Sequence, residues 1–387
     1  MAAKRRGHNE GSIYKRKDGR WAASLRLPGG KRKTFYGRTR QEVARRLTQA
    51  LHACQQGLLP PPERETLGRF LLRFLEDVAR PSLRPTTYEA YERLARLHIL
   101  PQLGQLRLAR LTAQELQSLY ARLLEKGLSP KTVALAHAFL HRVLGQAVRW
   151  GLLAQNPADA AEPPRAQRPP ARALTPEEAG RLLEAARSDR LYALYVLAVT
   201  CGLRQAELLG LRWKDVDLEE ATLAVRQRLY RVKGRWVVSE PKTARGRRLV
   251  TLPALAVQAL RQHRLRQLEE RLRAGELWEE NGLVFANQLG RPIEKQNLLR
   301  RSFWPLLERA GLPRIRFHDL RHTAASLLLS QGVHPKVVQE RLGHATIAIT
   351  MDTYSHVMPS LQREAAARLD SLLGDGADSH FDSQTGG

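Results

Sequence analysis

"TCGLRQAELLGLRWKDVDL", residues 200–218, brings two ionisable side chains together at the predicted start of a helix. Arg204 and Glu207 are three residues apart and therefore lie on the same helical face. The buried stripe of this helix is supplied by Leu203, Leu208 and Leu211. Taken alone, an ion pair at this spacing is best explained as a surface pair, which contributes little to stability.

A second stretch, "SEPKTARGRRLVTL" (residues 239–252), lies between two strand-like runs. We predict a hairpin there, and its tip carries four cationic side chains: Lys242, Arg245, Arg247 and Arg248. A solvated turn explains these charges, and so does a mobile hairpin whose lysine reaches into a site as a proton donor. The residues favour neither interpretation over the other.

The third stretch, "RFHDLRHT" (residues 316–323), contains two histidines four residues apart, a spacing close to the zinc-binding H-E-x-x-H pattern. Zinc is the weaker interpretation, because Arg321 would place a permanent cation beside the metal and neither a third ligand nor a cysteine is nearby. We therefore interpret Arg321 as a phosphate-binding fork and His318, on the same face, as an adjacent acid or base. His322 then has a structural role.

A tyrosine and a histidine occur in the fourth stretch, "ERLGHATIAITMDTYSHV" (residues 340–357). Gly343 is predicted to end one helix, His344 follows it, and Tyr354 lies ten residues further along in another short helix. A lone tyrosine is more often a half-buried packing residue with a satisfied hydroxyl. The interpretation of Tyr354 therefore depends on the other three stretches.

Together, the four stretches resemble the tyrosine recombinase, or phage integrase, family. The family's catalytic set comprises an arginine in T-G-L-R-x-x-E-L, a hairpin lysine, an H-x-x-R pair, a histidine or tryptophan in L-G-H, and a nucleophilic tyrosine. These positions are filled here, in the same order, by Arg204, Lys242, His318, Arg321, His344 and Tyr354. Glu207 fills the acidic position after the first arginine, and Cys201 is a variation at a position without a catalytic role. The similarity spans roughly residues 65–375.

The resemblance implies a site-specific recombinase that integrates or excises a mobile element through a 3′-phosphotyrosyl intermediate. Tyr354 is then the nucleophile, His318 accepts or relays its proton, and Lys242 protonates the leaving 5′ oxygen. The two arginines of the set, together with His344, stabilise the charge that develops on phosphorus. The implied chemistry uses no metal, no ATP and no cofactor.

The implied partners are double-stranded DNA attachment sites and three further copies of the chain, which complete a homotetramer in the synaptic complex. DNA-bending accessory proteins are a further candidate partner. The net charge of +26 agrees with a nucleic-acid partner, since a field of that sign attracts phosphate backbones.

A location in the cytoplasm, associated with DNA, is expected from the rest of the composition. The first ten residues lack the apolar segment of a secretory signal, and no run of about 18 apolar residues occurs. We therefore expect no membrane partner. The chain has two cysteines, too few for a disulfide framework or a four-thiolate zinc site, which fits a reducing compartment.

Residues 1–57 are predicted to form an arm-type DNA-binding module. The first 50 residues carry 15 Lys/Arg against three acids. Asp18-Gly19 and Pro28-Gly29-Gly30 separate three strand-like runs, and a helix with Thr39 and Glu42 in capping-box relation follows and ends at Gly57. A flexible basic tail is the alternative, but the apolar side chains in this stretch argue against it.

The remaining chain is predicted to hold two further domains and a tail. Residues 65–155 show almost only helical periodicity and form a four-helix core-binding domain, with helix starts at Thr112 and Ser129 and ends at Gly127 and Gly151. After a proline-rich linker, a mixed α+β catalytic domain covers residues 172–375, and Thr175 caps its first helix. Residues 376–387 are expected to be disordered. The fold class is thus multi-domain and mainly α, with small antiparallel sheets (α+β).

A striped helix over residues 361–374 either docks on a neighbouring protomer or packs on its own domain, and the sequence does not choose. Two other functions are also compatible with the residues. A type IB topoisomerase uses the same tyrosine chemistry but relaxes supercoils as a monomer. A non-catalytic DNA-binding or architectural protein would keep the fold, although the complete set of six residues argues against it.

Overall fold

A computed structural model describes residues 11–26, 32–55, 65–165, 172–241, 246–343, 346–347 and 366–373, apart from 368 and 372. The chain divides into two compact units, residues 1–168 and 169–387. The predicted disorder of residues 376–387 lies outside the described residues. The three domain boundaries proposed from the sequence stay predictions.

The first unit begins with a three-stranded antiparallel sheet and one helix. The strands are β1 (Ser12–Lys15), β2 (Trp21–Arg26) and β3 (Arg32–Gly37), in the order β1-β2-β3, and the helix is α1 (Arg40–Gln55). Gly19 has a φ of +80°, as the Asp18-Gly19 turn requires. Ala23 and Leu25 of β2 and Phe35 of β3 pack on α1 in a small core. The helix contributes Val43, Leu47 and Ala50. The predicted sheet-plus-helix is confirmed, and the predicted helix end at Gly57 lies outside the described residues.

Within the described residues, four longer helical segments make up most of the rest of the first unit. The first consists of α2 (Leu67–Phe74), a π-helical turn (Leu75–Ala79) and α3 (Arg80–Ser82); the second of α4 (Pro85–Leu94), a π-helical turn (Ala95–Ile99) and α5 (Leu100–Leu103). The third and fourth are α6 (Ala113–Glu125) and α7 (Pro130–Arg149). Thr112 and Ser129 cap α6 and α7 as predicted, each accepting a backbone N–H three residues on. Gly127 and Gly151 follow these helices with φ of +80° and +68°.

In the part of the second unit that the structure describes, helices are mixed with two small antiparallel sheets. Its helices are α8 (Pro176–Ala185), α9 (Tyr192–Thr200), α10 (Gln205–Leu209), α11 (Ala254–Ala274), α12 (Lys295–Leu298), a π-helical turn (Leu299–Phe303), α13 (Trp304–Arg309), α14 (Asp319–Ser330) and α15 (Pro335–Leu342). Its strands are β4 (Val216–Asp217), β5 (Thr222–Val225), β6 (Arg228–Val232), β7 (Arg235–Ser239) and β8 (Arg248–Thr251). Thr175 caps α8 in a capping box with Glu178, as its sequence predicts. Helix α9 is buried on nearly every side at the centre of the core.

The strand pairing corrects the predicted hairpin at residues 239–252. β8 pairs with β5 in the sheet β4-β5-β8, while β7 pairs only with β6. Lys233 and Gly234, with φ of +47° and +79°, close the β6-β7 hairpin through a two-residue turn. β7 and β8 therefore belong to different sheets and do not form the predicted hairpin with each other, and residues 242–245 between them lie outside the described residues. The prediction was wrong because strand neighbours are chosen by tertiary packing and not by order in the chain.

None of the helices within the described ranges is long and apolar enough to cross a membrane. In the predicted helix near the end of the chain, residues 366–367, 369–371 and 373 are helical, with Leu369 and Leu373 exposed. The choice between docking on a neighbour and packing on its own domain stays open.

Candidate active site

Arg204 stands at the start of α10 and is fixed there by Glu207. Its Nη1 donates to Glu207 Oε1 at 2.7 Å, and its backbone N–H donates to Glu207 Oε2 at 3.1 Å. Its Nη2 donates to the carbonyl oxygen of Gly343 at 3.3 Å. The Arg204 side chain is 37% exposed, whereas that of Glu207 is fully buried. The pair is therefore no ordinary surface ion pair: a buried carboxylate holds a guanidinium that still reaches solvent.

Glu207 also binds a second arginine, Arg248. The Nη2 of Arg248 lies 3.0 Å from Glu207 Oε2, and the Arg248 side chain is only 6% exposed. Burial alone would raise the pKa of Glu207, but the charges and hydrogen bonds of Arg248 and Arg204 outweigh it and lower that pKa. Glu207 is thus a carboxylate that two cations keep ionised.

Arg321 is buried and binds two backbone carbonyls. Its Nη1 donates to the oxygen of Gly202 at 2.8 Å and its Nη2 to the oxygen of Leu342 at 2.6 Å, and the residue is 2% exposed. Gly202 has a φ of +62°, and a Cβ at this position would lie 2.4 Å from Leu342 Cδ2 and 3.2 Å from the Cβ of Ala324. A glycine is therefore required at position 202, because only a residue without a Cβ allows its backbone to lie this close to Leu342 and Ala324 while its carbonyl binds Arg321.

His318 lies directly before α14, one turn ahead of Arg321. The residue is exposed to solvent, yet its imidazole ring is partly desolvated, and its pKa is lowered to about 4. Desolvation is the largest cause of this lower pKa, and the nearby His322, Arg321 and Arg204 also contribute to it. The ring centroids of His318 and His322 are 5.2 Å apart in an edge-on arrangement. His318 is therefore neutral near pH 7 and can accept a proton.

The carboxylate next to His318 has its own partner, which bears on the zinc alternative. Asp319 is 3% exposed and accepts hydrogen bonds from Arg316 through N–H (2.9 Å), Nε (3.1 Å) and Nη2 (2.8 Å). Thr323 donates to the Asp319 carbonyl at 3.0 Å and accepts from the N–H of Leu174 at 2.9 Å. Asp319 therefore fixes the start of α14 and is not a free ligand. Among the residues that the structure describes, no group of His, Cys, Asp and Glu side chains is arranged to hold a metal.

The structure brings four of the seven predicted site residues into one region: Arg204, Glu207, His318 and Arg321. Lys242, His344 and Tyr354 lie outside the described residues, so their roles stay predictions. Glu207 binds Arg204 directly, and Arg204 and Arg321 donate to neighbouring carbonyls at the end of α15, those of Gly343 and Leu342.

Sequence reasoning missed the contributions of Arg248 and Arg341. Arg248 was assigned to an exposed tip, but it begins β8 on the same strand face as the buried Val250, and that alternation is the signal that could have placed it. Arg341 donates to the Thr200 carbonyl at 3.3 Å and lies 3.8 Å from the sulfur of Cys201. Burial raises the pKa of the Cys201 thiol, in line with its having no role in the chemistry.

The fold and the described residues define a basic multi-domain protein in which Arg204, Arg248 and Arg321 converge on the end of α15. Residues 172–360 match the phage integrase family, and residues 66–124 match the phage integrase N-terminal SAM-like domain. A protein named "Tyrosine recombinase XerC-like" from Caldanaerobacter subterraneus subsp. tengcongensis is 34% identical over 88% of this chain and 92% of its own length. The chain therefore belongs to the phage integrase family and is a tyrosine recombinase, an enzyme of site-specific DNA recombination.

Two solved structures have the same fold. The Tn1549 transposon integrase in complex with transposon right end DNA is 25% identical, with a TM-score of 0.66, and covers 79% of this chain and 99% of its own. A lambda integrase tetramer bound to a Holliday junction is 20% identical, with a TM-score of 0.56, and covers 90% and 96% of the two chains. The predicted family and fold class are confirmed.

Proposed function

We propose that this recombinase cuts DNA by attack of the Tyr354 hydroxyl on a backbone phosphodiester. A bond forms between the tyrosine oxygen and phosphorus, and the bond from phosphorus to the 5′ oxygen breaks, which leaves a 3′-phosphotyrosyl enzyme and a free 5′ hydroxyl. Because the phosphodiester energy is kept in the covalent bond, a hydroxyl from a partner strand reverses the step without ATP. One observation carries the proposal: a partly exposed Arg204, held by the buried Glu207, donates to the carbonyl of Gly343, next to the Leu342 carbonyl that binds Arg321.

The charge on the pentavalent phosphorus is assigned to Arg204, Arg321 and His344. Guanidinium groups bind two phosphate oxygens at once, so that two of them can take the place that metal ions have in many nucleases. Removing one such donor typically costs about 2.7–4 kcal/mol of barrier stabilisation. Arg321 is held by neutral carbonyls, so its positive charge is not cancelled by a carboxylate in those two contacts.

Proton transfer is assigned to His318 and Lys242. A tyrosine has an unperturbed pKa of about 10 and needs a base near neutrality. His318 is neutral because its pKa is lowered to about 4, and it therefore accepts or relays the Tyr354 proton. Lys242 supplies the proton that the leaving 5′ oxygen takes up. Binding of an anionic phosphate beside His318 raises its pKa and makes it a better base.

Double-stranded attachment sites are the proposed substrate, with residues 65–155 and 172–375 as core-binding and catalytic domains. Residues 1–57 are the proposed arm-binding module, since its sheet presents tyrosine side chains on the face opposite the core that it forms with α1. Tyr14 and Tyr36 are 43% and 45% exposed on that face, and the guanidinium carbon of Arg16 lies 5.1 Å from the Tyr36 ring centroid. The enzyme would be associated with DNA in the cytoplasm, act as a homotetramer in the synapse and use DNA-bending accessory proteins.

The proposal is tested with a nicked core-site substrate that traps the covalent complex. Wild type, Tyr354→Phe and the control Tyr192→Phe are incubated with it in EDTA and resolved on a denaturing gel. A slow band from wild type and Tyr192→Phe, but not from Tyr354→Phe, is expected. A band from Tyr354→Phe would reject this nucleophile, and dependence of the wild-type band on metal would reject the arginine-based chemistry. Relaxation of a supercoiled plasmid without paired sites would instead indicate topoisomerase activity.

A further inference from the structure

Arg248 joins its own segment to two others of the catalytic unit, α10 and α15, through one guanidinium. Its Nη2 binds Glu207 at 3.0 Å, its Nε donates to the carbonyl of Arg341 at 2.7 Å, and its Nη1 donates to the carbonyl of Gly246 at 3.2 Å. The side chain is 6% exposed, so it is enclosed by these contacts and not spread over the surface. Such a residue acts on its neighbours more than on a bound ligand.

Three consecutive carbonyls at the end of α15 each bind a different arginine. The oxygens of residues 341, 342 and 343 accept, in that order, from Arg248 Nε (2.7 Å), Arg321 Nη2 (2.6 Å) and Arg204 Nη2 (3.3 Å). The last carbonyls of a helix have no partner within the helix and carry partial negative charge, so cations suit them. Any shift of Arg248 therefore moves the same turn that anchors the other two arginines.

Glu207 gives Arg248 a second route to Arg204. Oε1 of Glu207 binds Arg204 Nη1, while Oε2 binds both the Arg204 N–H and Arg248 Nη2. Without Arg248, a fully buried carboxylate would lose one of its two cations and would be free to turn away from Arg204.

We propose that Arg248 is a positioning residue, which sets Arg204 through Glu207 and the end of α15 through Arg341. It does not touch the phosphate. The assignment rests on the proposed function, since Arg204 must act on the scissile phosphate for its position to matter. A lysine cannot replace Arg248, because one ammonium does not span partners that lie in three directions.

The first test compares Arg248→Lys with Arg190→Lys as a matched control. Arg190 is also partly buried and also binds a carboxylate and a backbone carbonyl through one guanidinium. Its Nε and Nη2 bind Glu270, and its Nη1 donates to the carbonyl of Ala286 at 2.8 Å. Single-turnover cleavage of the nicked substrate is measured at saturating DNA. A displacement of Arg204 predicts a rate loss on the order of 10²-fold for Arg248→Lys with unchanged DNA affinity. Arg190→Lys is expected to cleave at a rate close to wild type.

A methylphosphonate at the scissile position separates positioning from a general loss of structure. Its methyl group replaces a charged oxygen, so less negative charge develops and the arginines are needed less. The defect of Arg248→Lys is expected to shrink from about 10²-fold to below about 10-fold on this substrate. Because each variant is compared with itself on two substrates, the amount of folded protein cancels.

The outcomes separate the two proposals. No covalent product from wild type overturns the proposed function and the role of Arg248 with it. A wild-type product with unchanged cleavage by Arg248→Lys overturns only the role of Arg248. An equal defect on both substrates, or loss of folding in both Arg248→Lys and Arg248→Gln by circular dichroism, would assign Arg248 a purely structural role and overturn positioning.

Discussion

Replacing Gly202 by alanine should destabilise the catalytic unit and displace Arg321. Gly202 has a φ of +62°, and the new Cβ would lie 2.4 Å from Leu342 Cδ2. A left-handed conformation costs a non-glycine residue about 1–3 kcal/mol, and relief of an overpacked contact costs about 1–3 kcal/mol more. The shift also weakens the bond from Arg321 to the Gly202 carbonyl, at 2.8 Å.

Gly311→Ala is the matched control. Its φ of +61° is nearly the same, but the nearest atom to an added Cβ is the Nη1 of Arg181, at 3.8 Å. This variant should therefore lose only the stability that the left-handed backbone conformation costs, about 1–3 kcal/mol. The free energy of unfolding of both variants is measured by urea titration, and covalent cleavage of the nicked substrate is measured in parallel.

The difference between the two variants isolates the contact. Gly202→Ala should be less stable than Gly311→Ala by about 1–3 kcal/mol, which corresponds to about 2–12 °C in the melting temperature of a unit of this size. Gly202→Ala alone should lose cleavage. Equal stability of the two variants, or normal cleavage by Gly202→Ala, would refute the argument that close packing at Gly202 places Arg321.

Three further predictions concern charge and domain function. Glu207→Gln leaves two arginines around a neutral amide and should cost about 3–5 kcal/mol of unfolding free energy by urea titration, whereas Glu219→Gln, in an exposed pair with Arg261, should stay within about 0.5 kcal/mol. The pKa of His318 is about 4 when folded and about 6.5 when unfolded, so the unfolded chain binds more protons between these values and stability falls as pH falls through that window. His318→Gln should therefore lose less stability than wild type between about pH 7 and pH 5, and an identical loss would contradict the lowered pKa. Deletion of residues 1–57 should impair integration but leave core-site cleavage detectable, and unchanged integration would count against an arm-binding role.

Local signals in the sequence predicted much of the fold, but they did not predict which charged side chains of the site are buried. The caps at Thr112, Ser129 and Thr175 were predictable because a cap depends on residues within one turn. The burial of Glu207 was not, because it depends on Arg248, which lies 41 residues further along the chain. The spacing of Arg204 and Glu207 gave the pair correctly, and only the non-local partners decided that the carboxylate is buried.

The sequence did not predict the strand pairing or the carbonyl partners of the arginines, and the reason is the same for both. A hairpin between β7 and β8 would satisfy every local rule, yet β5 takes β8 as its neighbour. The anchor of Arg204 at the carbonyl of Gly343 joins residues 139 apart in sequence. No periodicity reports a contact of that length, and resemblance to a family names the reacting residues without naming what holds them.

The way these arginines are held bears on how the site binds an anion. Arg204 and Arg248 share the carboxylate of Glu207, and Arg321 donates to two neutral carbonyls. Positioning by backbone carbonyls keeps the side chains in place without cancelling their charge, whereas carboxylate partners would have done both. Desolvation lowers the pKa of His318 most, and the positive charges of Arg321 and Arg204 lower it further. Under the proposed function, the positive charges that help to lower the pKa of His318 are thus also charges that attract the phosphate, and one arrangement of arginines contributes to both effects.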